Sequence, residues 1–356
     1  MNWPDSSNVS ECNFNLIHLK LKKFIYLFLL FLSFHSFGQE RVTPLQGEGV
    51  HALLRRNGRA GNEYFQKFVE LNREQLGVNN RLKLGVSYVL PPLSNNETSA
   101  RVQTKNREPL FGKRWADYTI ESDQLKGACF YLESGHGGID PGAITRVDGH
   151  KLHEDEYAYD IMLRLALNLL KNGATVHIIL QDPNDGIRDD VYLANTDRET
   201  FMGEAIHPGY TNKDQQLRLK QKSDIINRLS SRAKEKYQRA VYIHLDSRKA
   251  TLEPIDIFFY YWKGSVKGKQ LADNLLNTIR AEYKEHQPNR SFTGKTIDRN
   301  LHALRETIPV GAYAELGNIW NNRDRQRFLN PNNRQAIANW LYVGLVKDYE
   351  DFKKNR

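Results

Sequence analysis

The stretch GACFYLESGHGGIDPGA, residues 127–143, decides the fold and points to a candidate site. It is apolar through Phe130, Tyr131 and Leu132 and then turns at His136, which stands between glycines. An apolar run closed by glycines predicts a buried strand followed by a tight turn. The histidine at the tip is either an ordinary turn residue or a metal ligand with room for a substrate beside it, and partners elsewhere in the chain decide between the two.

The rest of residues 126–348 repeats this pattern of apolar strands and amphipathic helices. A helix is predicted over about 154–171, where apolar residues recur at helical spacing, and a final helix over about 333–348. Strands alternating with helices predict an α/β domain with a mostly parallel sheet. Residues 183–220 contain turn motifs such as DPNDG and are predicted to form a long excursion, that is, an irregular segment outside the core. The remaining predicted strands are ATVHIIL (174–180), RAVYIHL (239–245), IDIFFYYW (255–262) and VGAYAEL (310–316).

The N-terminus has the layout of a secretory signal. Residues 24–34, FIYLFLLFLSF, follow Lys20, Lys22 and Lys23, and small residues come after the apolar run. The run is shorter than the roughly 20 apolar residues that a membrane span needs. We therefore expect a signal peptide over residues 1–38, with an uncleaved N-terminal anchor as the alternative, and no other membrane attachment.

Residues 41–93 read as a small separate unit. Helices are predicted in GEGVHALLRRNG (47–58) and EYFQKFVELNRE (63–74), and a strand in NRLKLGVSYVLPP (80–92). A strand, two short helices and a second strand resemble a LysM module, which implies binding of glycans that contain N-acetylglucosamine. A plain helical spacer is the alternative. The polar residues 94–125 predict a linker, and residues 349–356 a polar tail.

Composition and charge restrict the partners. The chain has 356 residues, of which 40% are hydrophobic, and a formal net charge of +9. Such a charge favours an anionic partner. Nucleic acid is not expected, because the sequence has no basic helix, no RNA-recognition signature and no zinc-finger spacing. An acidic polymer such as a bacterial cell wall fits the charge equally well. Of the two cysteines, Cys12 would leave with the signal peptide, so no disulfide is expected.

Four polar groups stand where the predicted strands and helix begin or end. His136 follows the first strand, His244 lies near the end of RAVYIHL, Glu315 near the end of VGAYAEL, and Glu154 opens the first helix. Ligands of open α/β sheets bind beyond the carboxyl ends of the strands. Two histidines and a carboxylate are a common ligand set for catalytic zinc, and a second carboxylate can serve as general base. The spacings match no short local zinc motif.

Four blocks of sequence, in order, resemble the zinc-dependent N-acetylmuramoyl-L-alanine amidases. They are GHGGIDPGA (135–143), EDEYAYDIMLRLALNLL (154–170), YIHLDS (242–247) and AELGNIWNNRDRQRFL (314–329). The resemblance implies that His136, Glu154 and His244 bind one Zn²⁺ and that Glu315 is catalytic. It also implies a central, mostly parallel sheet with helices on both faces.

The signal-like N-terminus predicts export to the periplasm or cell envelope, and the resemblance implies an enzyme that acts there. Its partners would be peptidoglycan glycan strands and stem peptides, and it would hydrolyse the amide between the lactyl group of N-acetylmuramic acid and L-alanine. Some members of the family carry a helix over the zinc that an activator protein displaces, and residues 183–220 have room for one. The rival functions are an inactive peptidoglycan-binding protein and a zinc peptidase that cuts stem peptides.

Two departures from the family pattern lie beside the ligands. Glu133-Ser134 stands where Asp-Pro is more frequent, and Leu245-Asp246 where Ala-Asn is usual. Neither departure replaces a ligand, so the ligand set is kept. The groups that surround the metal ligands are expected to differ from those of the family. Glu154 and Glu156 are close in sequence, and Glu156 is the alternative third ligand.

Overall fold

The computed structural model describes residues 39–44, 49–59, 62–77, 80, 82–93, 105–247 and 254–355. The chain divides into two compact units, residues 1–94 and 95–356. The predicted signal peptide lies outside the described residues. Among the helices that are described, none combines the length and the apolar character needed to cross a membrane.

The N-terminal unit has the order strand, helix, helix, strand. Its elements are β1 (Arg41–Val42), α1 (Val50–Arg56), α2 (Asn62–Leu71) and β2 (Tyr88–Val89), and β1 pairs antiparallel with β2. Leu53, Phe68 and Tyr88 are fully buried in a small core of their own. The ladder at the second strand is much shorter than the predicted 80–92, because residues 84 and 85 form a turn. The assignment to the LysM modules stays a prediction.

The C-terminal unit is an α/β domain. Its strands are β3 (Asn106–Arg107), β4 (Asp117–Tyr118), β5 (Ala128–Ser134), β6 (Ile144–Val147), β7 (His150–His153), β8 (Thr175–Ile178), β9 (Leu180–Gln181), β10 (Thr200–Phe201), β11 (Glu204–Ala205), β12 (Tyr237–Asp246), β13 (Phe258–Tyr261), β14 (Lys295–Asp298) and β15 (Val310–Asn318). Its helices are α3 (Glu154–Lys171), α4 (Asn212–Ser230), α5 (Val266–His286), α6 (His302–Arg305), α7 (Asn322–Leu329) and α8 (Pro331–Lys354).

Six strands form the central sheet in the order β14-β13-β15-β12-β5-β8. All neighbouring pairs are parallel except β13 and β15, which are antiparallel. Strand β5 is buried at all seven positions, as expected for a strand covered on both faces. The predicted α/β fold with a mostly parallel sheet is confirmed.

Helices cover both faces of this sheet. Because successive side chains of a strand point to opposite faces, the contacts of neighbouring residues on β12 identify what covers each face. Tyr237 and Arg239 each donate a hydrogen bond to Asp348 of α8, on one face. Gln238, between them, accepts from Ser230 at the end of α4, on the other face. The expectation of helices on both faces is therefore met.

Part of the predicted linker belongs to the folded domain. Of residues 94–125, those from 105 onward are described, and they contain the β3–β4 hairpin and a single 3₁₀ turn. Phe111 and Leu125 are fully buried in the main core, and Ala116 is nearly so. The sequence prediction was wrong here because a few apolar anchors are spaced among many polar residues.

Two other predicted boundaries also differ from those in the structure. The excursion ends at Thr211, whose side chain caps α4, so residues 212–220 are helical. This helix is mostly polar, which concealed its period. At the C-terminus, α8 continues to Lys354, and the predicted polar tail at 349–356 is mainly helix. Tyr349 is buried there, packs on Tyr237 with ring centroids 4.8 Å apart, and donates a hydrogen bond to the Lys126 carbonyl.

Candidate metal centre

The turn after β5 carries His136 into the site. Gly135 donates a backbone hydrogen bond to Ile243 (2.8 Å), which fixes the turn against β12. A Cβ on Gly135 would lie 1.9 Å from the His244 ring, so only glycine fits. His136 itself has a φ of 68°, a left-handed conformation that costs a non-glycine residue roughly 1–2 kcal/mol. The surrounding contacts therefore have to hold the turn in place.

A β-hairpin delivers Glu154 to the same point. Strands β6 and β7 pair from Ile144 with His153, and Glu154 follows as the first residue of α3. Its Oε2 accepts from the Ala143 amide (2.9 Å) and its Oε1 from the Leu245 amide (3.0 Å). A carboxylate at a helix N-terminus is stabilised by the helix dipole. These contacts fix both oxygens of a nearly fully buried side chain.

Strand pairing places His244 beside Glu315. In the parallel ladder of β12 and β15 the two residues are directly opposite, so both side chains lie on one face. The Tyr313 ring stacks on the His244 ring with centroids 4.3 Å apart, which limits its rotation. The two polar groups thus meet at the carboxyl ends of adjacent strands, where α/β proteins place their ligands.

The donor atoms of His136, Glu154 and His244 form a compact set. Glu154 Oε1 lies 3.3 Å from His136 Nε2 and 3.0 Å from His244 Nδ1, and one atom from each residue falls within 4.8 Å of the others. Two zinc ligands at about 2.0–2.1 Å in tetrahedral geometry lie roughly 3.3 Å apart. The two oxygen–nitrogen distances and the donor types therefore fit one zinc ion.

The charges of the donor set favour a cation. Burial opposes protonation of His136, but the carboxylates of Glu154 and Asp140 outweigh it and raise the pKa of His136. Burial lowers the pKa of His244. Burial would raise the pKa of Glu154, yet the two histidines hold that pKa well below its usual range. An ionised carboxylate between two imidazoles is an electronegative position that suits a metal ion.

Glu315 has an unsatisfied carboxylate. Its Oε2 is buried and finds no hydrogen-bond partner within the described part of the chain. Burial and the carboxylates of Glu154 and Asp246 raise the pKa of Glu315 well above the ordinary range. A cation held by the neighbouring donor set would oppose these effects and favour the ionised form.

A cavity of about 250 Å³ opens beside the donor set. His136, His244 and Tyr313 line it, and so do Arg218 of α4 and His302 of α6. His302 shares a 3.2 Å hydrogen bond with Ser223 of α4. Two of the three donor residues, His136 and His244, therefore border this cavity.

The structure brings together all four residues singled out from the sequence and adds Asp140. The DPG context predicts only a turn, and Asp140 does accept from the Gly142 amide (3.2 Å), but it also lies 3.1 Å from His136 Nδ1. Its turn chemistry gave no sign of this second contact. Glu156, the alternative ligand, points elsewhere and pairs with Arg188 at 3.0 Å. Burial raises the pKa of Glu156 to about 7.

Two histidines, a carboxylate ligand and a second carboxylate at the strand ends of an α/β sheet are typical of metal-dependent hydrolases. The family model described as N-acetylmuramoyl-L-alanine amidase matches residues 131–347, and the chain belongs to this family. The family predicted from the four sequence blocks is therefore confirmed.

Relatives in this family are distant. The germination-specific N-acetylmuramoyl-L-alanine amidase of Bacillus subtilis (strain 168) is 22% identical over 227 residues, which cover 64% of this chain and 82% of that protein. The probable cell wall amidase LytH of Staphylococcus aureus is 35% identical over 85 residues, or 22% of this chain and 29% of that protein. The solved CwlD amidase from Clostridioides difficile, in complex with the GerS lipoprotein, gives a TM-score of 0.47 at 20% identity, covering 63% of this chain and 98% of that chain.

Proposed function

We propose that the protein hydrolyses the amide between the lactyl group of N-acetylmuramic acid and L-alanine in peptidoglycan, and that it depends on zinc. The observation that carries the proposal is the donor set of His136, Glu154 and His244, with oxygen–nitrogen distances of 3.0 and 3.3 Å that fit zinc ligands. When bound, zinc supplies Lewis-acid chemistry, which polarises a carbonyl and lowers the pKa of water.

The residues around the donor set have distinct roles in this proposal. Glu154 is held by two backbone amides, so its carboxylate keeps a fixed orientation toward both histidines. Asp140 holds the Nδ1 side of His136, which leaves Nε2 directed at Glu154. Tyr313 keeps the His244 ring in plane by stacking. Together they preorganise the ligands before any metal arrives.

Glu315 acts as the general base and acid. Its carboxylate takes a proton from the attacking water and passes it to the nitrogen of the departing L-alanine, so the amine leaves neutral. The Oε2 atom is free of hydrogen bonds in the described structure, as a proton carrier requires. Its strand register directly opposite His244 supports this role.

The N-terminal segments complete the proposal. Export through a signal peptide at residues 1–38 would bring the enzyme to the cell envelope, where its substrate is found. The unit at residues 41–93, with its own buried core, would bind glycan strands and hold the enzyme on the wall. The net charge of +9 suits an anionic polymer.

Mass spectrometry of digested peptidoglycan tests the activity. Purified protein is incubated with peptidoglycan alone, with a chelator, and with a chelator followed by zinc. The expected products are free stem peptides and intact glycan strands, lost with the chelator and restored by zinc. The Glu315→Ala variant serves as the control that keeps the donor set.

Each other outcome contradicts part of the proposal. Chelator-sensitive cuts inside the stem peptide would replace the amidase by a peptidase. Full activity in the presence of the chelator would remove zinc from the mechanism. Binding to intact peptidoglycan without products would favour a binding protein, or an enzyme that needs an activator.

A further inference from the structure

The turn that carries His136 is held from two sides by charged side chains. Lys222 of α4 donates from Nζ to the His136 carbonyl at 3.0 Å. On the other side the Gly138 amide donates to Glu199 Oε2 at 2.9 Å. A cation therefore meets the carbonyl and an anion meets the amide, and each charge matches the dipole of the peptide group that it touches.

Lys222 is itself fixed by a buried ion pair. Its ammonium forms a short contact with Glu133 of β5, and the two residues are only 8% and 3% exposed. The Phe201 ring lies 5.1 Å from the ammonium and covers another side of it. Glu133 is one of the departures from the family pattern noted in the sequence. Burial of a charged pair next to a strained turn calls for an explanation beyond stability, because such pairs contribute little stability on average.

We propose that Lys222 is a positioning residue for the metal ligand His136, and that Glu133 holds Lys222 in that role. The inference rests on the proposed zinc function. His136 has a left-handed backbone that a free turn would tend to leave, and relaxation of this backbone would move Nε2 away from Glu154. The ammonium on the His136 carbonyl opposes this movement through its contact with the backbone.

The test measures zinc affinity instead of activity. Lys222→Met removes the charge but keeps an unbranched chain, and Lys222→Arg keeps the cation and its donors. Zinc affinity is measured by competition with a chromophoric chelator, and the ligand geometry is followed by the visible spectrum of the Co²⁺-loaded protein. We expect Lys222→Met to weaken zinc binding by about 10–100-fold and to alter the Co²⁺ spectrum, and Lys222→Arg to recover most of the loss.

A matched control separates positioning from stability. Arg239 and Asp348 form an equally buried ion pair, 2.8 Å long, at the start of β12. Arg239→Met should lower stability to urea to a similar degree and leave zinc affinity and the Co²⁺ spectrum unchanged. If Lys222→Met does not fold, the double variant Lys222→Met/Glu133→Gln, which leaves no buried unpaired charge, carries the same expectation.

The outcomes distinguish the inference from the function beneath it. Wild-type affinity and an unchanged Co²⁺ spectrum in Lys222→Met, or in the double variant, would overturn the positioning role alone. An equal loss of zinc affinity in Arg239→Met would reduce the effect to general stability and overturn it as well. A wild-type protein that binds no zinc would overturn the proposed function and this inference with it.

Discussion

The two ends of strand β12 both carry buried charged groups, but these groups are partnered in opposite ways. At its start, Asp348 accepts hydrogen bonds from Tyr237 and Arg239 at 2.8 Å each, and from Asn274 at 3.2 Å. At its end, one oxygen of Glu154 faces two imidazoles, and Glu315 Oε2 has no hydrogen-bond partner among the described residues. Buried polar groups are almost always satisfied. In the proposed function, the end of β12 with incomplete hydrogen bonding (the incomplete end) binds a ligand, and the fully bonded start (the complete end) is structural.

The largest expected effect comes from the incomplete end. Glu315→Gln keeps the shape of the side chain and removes its ability to carry a proton. We expect kcat for stem-peptide release to fall by about 10²–10⁴-fold, with zinc affinity unchanged. Steady-state kinetics and chelator competition measure the two quantities. A variant that retains the wild-type rate would show that the proton is carried by another group.

A substitution at the complete end should lower stability and leave catalysis unchanged. Arg239→Met leaves Asp348, 1% exposed, without its charge partner. We expect the free energy of unfolding to fall by about 3–5 kcal/mol, since an unpaired buried charge remains, while kcat/KM of the folded protein is unchanged. Urea unfolding and peptide-release kinetics test both parts. A loss of kcat/KM larger than the unfolded fraction explains would show that the start of β12 also contributes to catalysis.

Much of this architecture could be predicted from strand periodicity and strand ends. Apolar runs such as RAVYIHL are buried for physical reasons that depend on the local sequence alone, and the polar residues that end them meet wherever parallel strands share an edge. Strand ends alone were enough to predict three of the site residues, namely His136, His244 and Glu315. The choice of Glu154 over Glu156 followed from resemblance to the amidases, and Glu156 in fact turns toward Arg188.

The features that could not be predicted from the sequence depend on contacts between segments that are distant in the chain. Lys222 lies on a polar helix whose period does not predict burial, and its partners are 86 and 89 residues away. Phe111 and Leu125 are single apolar anchors within a polar stretch, so composition predicts a linker where the chain packs against the core. Asp140 has two roles, and its turn chemistry accounts for its identity without the bond to His136.

Stabilisation by zinc should distinguish Glu154 from Glu156 as the third ligand. A ligand that binds only the folded state at 100 times its Kd raises the free energy of unfolding by about 2.7 kcal/mol. We expect this gain for the wild type and for Glu156→Gln, whose side chain pairs with Arg188, and no gain for Glu154→Gln. Urea unfolding with zinc or chelator measures it. A gain retained by Glu154→Gln and lost by Glu156→Gln would exchange the two assignments.

The smallest effect concerns Asp256, a second carboxylate whose hydrogen bonds are complete. Burial alone would raise its pKa, but the amide of Thr293 (2.7 Å) and the guanidinium groups of Arg327 and Arg290 outweigh burial and hold the pKa below its usual value. A carboxylate with a lowered pKa contributes stability at neutral pH, and this contribution is lost as the pH falls through the lowered pKa.

Asp256→Asn removes this charge without backbone strain, because asparagine tolerates the φ of 56° at this position. Its NH₂ group also replaces one of the two oxygens that accept from Thr293 and the arginines, so the pH dependence of the stability difference identifies the part due to charge. We expect the variant to be less stable than the wild type by an amount on the order of 1 kcal/mol at neutral pH. The difference should start to shrink below about pH 4, where the carboxylate of the unfolded chain becomes protonated, and should be lost once the pH falls below the lowered pKa of the folded state. Urea unfolding across this range measures the difference. A gap that stays constant with pH would mean that the contribution comes from hydrogen bonding or shape, and that full partnership at a buried carboxylate does not imply a stabilising charge.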